Sequence, residues 1–286
     1  MEQGKKSLIK VWGSSIGLIL KHPSVVLPFF ILFTLEALWL SMSYYAPRPP
    51  VSIFMGPLIK AFMGEQFLHY PFNFLTLPRL LIIGRVFGHL SFGVIALAMT
   101  ALATQQLTQD HSGVRLFGNF NRSFRRYPSL VSVGLLFGSG CLIFHKVPRI
   151  IFARFIAGGV DDQFGIIFVF ILSFLLIVLL EMFLVYAPIF IIIMRQKLWT
   201  AVRNSIMFCL EFFWQTLSFV LLFRALNLIT IFMKNNLKVI MQVQFPQFPE
   251  VALFIMSADI LLLFITHVAI AVMAAQRVLT HREIKS

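Results

Sequence analysis

The stretch Phe164–Met194, FGIIFVFILSFLLIVLLEMFLVYAPIFIIIM, decides the fold, because Glu181 is its only charged residue. A helix rising 1.5 Å per residue needs about 20 apolar residues to cross a hydrocarbon layer roughly 30 Å thick, and this run exceeds that length. It lacks the alternation of a barrel strand, and an open strand would leave its amides unpaired in lipid, so it reads as a membrane-spanning helix. Its excess length predicts tilt or emergence into the headgroups. Pro188, which removes an intrahelical donor, predicts a kink near the end of the run.

Working outward, five more segments have the same character: Ser24–Ser43, Val86–Leu107, Pro128–Val147, Phe212–Met233 and Val251–Met273. The chain therefore reads as an all-α, polytopic transmembrane helical bundle of six spans, a single membrane domain over residues 1–286. Composition agrees, since 59% of the residues are hydrophobic and 12% charged, whereas a soluble domain carries about a quarter charged residues. The 24 Lys and Arg against 11 Asp and Glu give a formal charge of +13. In a soluble chain that excess would suggest nucleic acid. Here the basic residues gather at the ends of apolar segments, which points to a bilayer with anionic headgroups as the partner and to no nucleic acid. Cys141 and Cys209 fall in separate helices and support neither a disulfide framework nor a metal cluster. The opening MEQGKKSLIKVWGSSIGLIL has the basic-then-apolar order of a signal peptide but no small-residue cleavage site before Lys21-His22-Pro23, so it is read as mature protein.

Orientation follows from the flanks. Lys5, Lys6, Lys10, Lys21, Arg115, Arg122, Arg125, Arg126, Arg195, Lys197, Arg203, Arg277, Arg282 and Lys285 fall on one side, 14 in all, against nine on the other, among them Arg85 and Lys234. The richer side is expected to be cytoplasmic, which puts both termini there.

Three stretches echo one another: LIKVWGSSIGLILKHPSVVLPFFILF from Leu8, VRLFGNFNRSFRRYPSLVSVGLLFG from Val114 and LWTAVRNSIMFCLEFFWQTLSFVLLF from Leu198. Each has a mixed polar and apolar part, a charged or aromatic junction, and a span. In the first, Leu8, Val11, Trp12, Ser15, Ile16 and Ile19 recur at helical steps and form one face of an interfacial helix. Lys10, Lys21, Arg122, Arg125, Arg126 and Arg203 are the candidate headgroup contacts on such helices. The expected repeat units, each an interfacial helix followed by a transmembrane hairpin, are approximately 7–110, 111–195 and 196–280. On the other side, Val51–Leu75 carries Phe54, Met55, Leu58, Ile59, Phe62 and Met63 at helical spacing, a segment expected to lie on the outer leaflet, dip into it, or cover a partner.

Ionisable groups at membrane depth are costly, so Glu36, Glu181, Arg224 and Asp259 form a candidate intramembrane polar site, with His267 two turns after Asp259 as the natural relay partner. Arg224 is the expected partner of Asp259 across a hairpin, which leaves Glu36 and Glu181 without an obvious cation. Two readings compete: a proton or substrate relay, and structural ion pairs with carboxyls that stay protonated or hydrogen-bonded. Gly84, Gly88, Gly134 and Gly138, at small-x-x-x-small spacing, are candidate helix-packing positions. Gly13-Ser14-Ser15-Ile16-Gly17 matches a nucleophile-elbow string but sits inside an amphipathic helix, where the required strand and turn are missing. No metal-protease, Walker or dinucleotide motif occurs, and no catalytic residue, metal or cofactor is expected.

The interfacial helix, the Lys21-His22-Pro23 and Arg126-Tyr127-Pro128 junctions, and YAPIFIIIMRQKLWTAVRNS at Tyr186–Ser205 resemble a group of uncharacterised bacterial six-span membrane proteins. The layout is also similar to that of the membrane domain attached to some glycerophosphodiester phosphodiesterases. No catalytic phosphodiesterase domain accompanies it here, so the resemblance implies the membrane architecture and not that activity. The expectation is a non-enzymatic membrane subunit or scaffold that contacts lipid and a membrane-protein partner or a second copy of itself. The alternative is a permease or transporter component built on the intramembrane charges.

Overall fold

The computed structural model describes residues 8–110, 113–156 and 162–285. Among them the chain is helical, with no strand, and six helical stretches are long and apolar enough to cross a membrane: Leu27–Tyr44, Phe72–Gln109, Tyr127–Pro148, Ile167–Ile192, Phe213–Asn235 and Val251–Arg282. That is the architecture of an integral, multi-pass membrane protein. In chain order the helices are α1 (Leu8–Lys21), α2 (Leu27–Tyr44), α3 (Val51–Phe62), α4 (Leu77–Gly88), α5 (Val94–Gln105), α6 (Leu116–Phe124), α7 (Tyr127–Ile156), α8 (Asp162–Leu184), α9 (Ala187–Ile192), α10 (Leu198–Glu211), α11 (Phe213–Asn235), α12 (Leu237–Val239) and α13 (Val251–Lys285).

Two compact units emerge. The first comprises Met1–Val25, Val94–Leu222 and Ala269–Ser286; the second comprises Val26–Gly93 and Phe223–Val268. Within the first unit α7 packs on α8, and α9 packs on α5 and α10. The fourth crossing breaks before Pro188: α8 ends at Leu184, Val185 and Tyr186 form a turn, and α9 restarts with Pro188 in its first turn. Proline is tolerated there because its missing amide had no partner, so the predicted kink becomes a break placed a few residues earlier. The break is tied down by Tyr186, whose hydroxyl lies 2.8 Å from Thr216 Oγ1, and by Ser205, which donates to the Phe183 carbonyl at 2.6 Å. Ser15 on α1 donates to Gln276 Oε1 on α13 at 2.6 Å, so one face of the first amphipathic helix is fastened by a polar bond.

In the second unit, α2 packs against α4 through glycine. A Cβ at Gly84 would lie 2.3 Å from the Trp39 ring, and one at Gly88 would meet Leu32 at 3.7 Å. Trp39 Nε1 donates to the Leu80 carbonyl at 2.7 Å, locking the ring over this gap. Within the chain a Cβ at Gly138 would meet nothing within 4 Å, whereas one at Gly140 would press on Leu180 of α8. Two residues along a helix rotate the position by about 200°, so α7 uses the face of Gly140 and turns Gly138 away. The core of this unit joins Leu40, Leu77, Leu81, Ile240, Met256 and Ile260. In α3, Met55 and Ile59 are buried against Ala46 and Leu80, while Phe54, Leu58 and Phe62 point outward at 76%, 55% and 82% exposure.

Candidate functional site: a buried ion network

In the second unit Glu36, Arg85, His89, Lys234 and Asp259 form one network. Glu36 comes from the middle of α2, Arg85 from the last turn of α4, Thr230 and Lys234 from the last turns of α11, and Asp259 from α13. His89 opens a π-turn, His89–Gly93, that joins α4 to α5. Such insertions of wider helix recur at functional sites, where they re-aim a side chain. Gly93 permits this one, since a Cβ there would lie 3.3 Å from the His89 ring.

The geometry is closely paired. Arg85 Nε donates to Glu36 Oε2 at 3.1 Å, and its Nη1 donates to Asp259 Oδ2. His89 Nε2 lies 2.6 Å from Glu36 Oε1. Lys234 Nζ and Thr230 Oγ1 donate to Asp259 Oδ1 at 2.7 and 2.6 Å. Glu36 and Asp259 are 6% and 3% exposed, so each carboxylate is removed from solvent and answered by several donors. Two carboxylates face one guanidinium and one ammonium, and this balance is what permits ionised groups at low dielectric. Arg85 Nη2 is buried with no hydrogen-bond partner among the described residues.

This arrangement differs from the sequence expectation. Asp259 takes Arg85 and Lys234 as its cations, where Arg224 was expected, and Glu36 acquires Arg85 and His89. Arg224 stands ten residues before Lys234 on α11, about 15 Å along the axis, and the stagger of α11 against α13 puts Thr230 and Lys234 beside Asp259 instead. Arg85 and Lys234, counted as flanking charges in the sequence, fall inside the second and fifth crossings. His267 belongs to this unit, its ring stacked on Phe29 at 6.0 Å and 4.9 Å from that of His89. Glu181 is buried on α8 in the other unit. One signal could have found the missing members: Arg85 and His89 are four apart on one helical face, beside the Gly84 and Gly88 face that admits α2.

The basic positions of the first unit also sort themselves. Arg122, Arg125 and Arg126 line one pocket with Arg195, whereas Lys21 and Arg203 are exposed on α1 and α10. The side chain of Lys10 lies outside the described residues. Among the described residues no group of three or more His, Cys, Asp or Glu is placed to hold a metal ion. Cys209 is buried, and burial lifts its thiol to about 11 against a smaller opposing effect of its hydrogen bond with Thr216.

Comparison of the chain with protein families, with curated proteins and with solved structures finds no match.

Proposed function

We propose that the protein is a non-enzymatic membrane subunit or scaffold that holds lipid on its basic side and associates with a membrane-protein partner or a second copy of itself. The observation that carries this reading is the charge balance of the ion network: Glu36 and Asp259 are matched by Arg85 and Lys234 within one unit. Buried groups that answer one another in this way fasten helices together, and changing their charge is costly. The reading sets the protein in a bacterial inner membrane with both termini cytoplasmic. It treats the chain as three successive units, each an interfacial helix leading into a hairpin. Support for that order is that α1, α6 and α10 each immediately precede a long apolar helix.

The test is reconstitution of the full chain into proteoliposomes together with cross-linking in native membranes. The expected result is a discrete cross-linked complex and no gradient-driven flux above that of empty vesicles. Flux driven by a pH gradient and lost in a folded Glu36→Gln variant would replace this reading with the permease. That second reading has its own observation, the succession Glu36, His89, His267, in which a carboxylate bonds one imidazole at 2.6 Å and a second ring follows at 4.9 Å.

A further inference from the structure

Four arginines converge where the third crossing begins and the fourth ends. Arg122 lies in the last turn of α6, Arg125 and Arg126 stand between α6 and α7, and Arg195 follows α9. Together with Asn121 and Ile192 they line a pocket of about 480 Å³. The third crossing starts at Tyr127 and the fourth stops at Ile192, and α7 and α8 are consecutive and packed together. The pocket therefore sits at the membrane surface, at the level of the headgroups, on the side richer in basic residues. Asn121, Arg125 and Arg195 are exposed, so it opens outward, while Arg122 and Arg126 are half-buried in its wall.

Cations at helix ends are common, because they complement the helix dipole. That accounts for one of the four: Arg122 Nη2 reaches the Ile192 carbonyl at the end of α9, at 3.5 Å. Arg125, Arg126 and Arg195 also stand just past the ends of α6 and α9, but they converge on one pocket that no acidic side chain among the described residues lines. Arg195 adopts a left-handed backbone with φ 54°, a conformation disfavoured for a side chain of its size. This left-handed residue lies in the turn that ends α9, where the Gln196 amide donates to the Phe190 carbonyl at 3.3 Å, and the reversal brings the fourth arginine to the other three. Partial burial and the charge of Arg195 both press the Arg122 guanidinium below its ordinary value, so the two like charges repel one another.

We propose that the Arg122, Arg125, Arg126 and Arg195 pocket binds a phosphate group, either on the headgroup of an anionic phospholipid or on a free phosphate or phosphomonoester. Guanidinium forks match phosphate oxygens two at a time, and several of them surrounding one anion convert their mutual repulsion into attraction. The pocket volume falls within the ordinary range for small-ligand sites. Asn121 adds a neutral polar group beside the forks. The proposal rests on the reading above only for the idea that this side of the protein holds lipid. A general basic surface would spread its charge, whereas this pocket concentrates it at a single place.

The experiment uses the purified full chain in two arms. In neutral phosphatidylcholine nanodiscs, inorganic phosphate is titrated against thermal unfolding, with chloride at matched ionic strength as the control. In nanodiscs containing phosphatidylglycerol, lipid retained after transfer to detergent is counted by native mass spectrometry. The wild type is compared with Arg122→Gln/Arg195→Gln, with Arg125→Gln/Arg195→Gln, whose side chains are both exposed, and with Arg203→Gln outside the pocket. Saturable stabilisation by phosphate that weakens at least tenfold in the pocket variants and not in Arg203→Gln identifies a free phosphate. Retention of phosphatidylglycerol lost in the same pattern identifies the headgroup. Equal behaviour of the wild type and a folded pocket variant in both arms overturns the proposal. If lipid is retained equally by all variants, the pocket fails while lipid contact by the wider surface stands.

Discussion

Arg85 donates through Nε to Glu36 at 3.1 Å and with the same guanidinium holds Asp259, so a side chain on α4 joins α2 to α13. The planar fork makes this possible, because its donors leave in fixed and separate directions. Lys234 contributes one further contact on the Asp259 side, and His89 one on the Glu36 side. Arg85 is thus the hub of the unit, with two carboxylates depending on it.

Removing that hub should be far costlier than removing a spoke. Arg85→Met leaves two buried carboxylates short of a cation and should destabilise the protein by about 3–5 kcal/mol. Lys234→Met leaves Asp259 with Arg85 and Thr230, and should cost about 1–3 kcal/mol. Thermal unfolding of both variants in the same detergent checks the order; a larger loss for Lys234→Met would reassign the hub.

How far the sequence carried this picture depends on what periodicity measures. Six crossings were legible because a long apolar run has few alternatives in lipid, and Glu36 and Asp259 stood out because charge there is rare. Their partners were not legible. Helical spacing tells which residues share a face, but not how far one helix is shifted along another, and that shift selects Thr230 and Lys234 over Arg224. Arg85 was obscured for a related reason: the second crossing starts near Phe72, well before its most apolar part, so an internal cation resembled a boundary. The arginine pocket hid differently, because Arg195 is distant in sequence from Arg122 and only the break before α9 returns it to α6.

Cys209 should be chemically quiet while the fold persists. Its thiol is raised by burial from 9.0 to about 11, which favours the neutral form in the folded state. The resulting contribution to stability is complete below the unfolded value, and is lost as pH rises through about 11. At pH 8 a shift of this size reduces the thiolate fraction about a hundredfold. In a Cys141→Ser background, iodoacetamide labelling in mild detergent should accordingly be slow, and it should become rapid after unfolding in sodium dodecyl sulfate. Equal rates before and after unfolding would show an accessible, ordinary thiol.

The break between α8 and α9 depends on a polar contact rather than on proline alone. Tyr186→Phe removes the hydroxyl that meets Thr216 at 2.8 Å but leaves the ring in contact with Phe208, centroids 4.7 Å apart. Thr216 keeps its bond to the Phe212 carbonyl at 3.1 Å, so its oxygen is not stranded. The expected cost is therefore that of one net hydrogen bond, about 0.5–1.5 kcal/mol in an unfolding titration. A loss several times larger would mean that the hydroxyl supports the whole break.

The glycines give a paired test of packing, since the same substitution meets opposite surroundings. At Gly84 a methyl group would lie 2.3 Å from Trp39, whose ring is held by its bond to the Leu80 carbonyl and cannot simply rotate away. Gly84→Ala must therefore push α2 from α4 or break that bond, at about 1–3 kcal/mol. The movement would also reach Glu36 and Arg85, which lie on the same two helices, so loss of the ion network should follow loss of the close approach. At Gly138 the new methyl meets nothing within 4 Å, and alanine is the better helix former, so Gly138→Ala should be neutral or slightly stabilising. Unfolding midpoints would measure both variants, and tryptophan fluorescence should shift only for Gly84→Ala. If Gly138→Ala proved the more damaging of the two, the α7 face that Gly138 occupies would have to be a contact surface in the membrane.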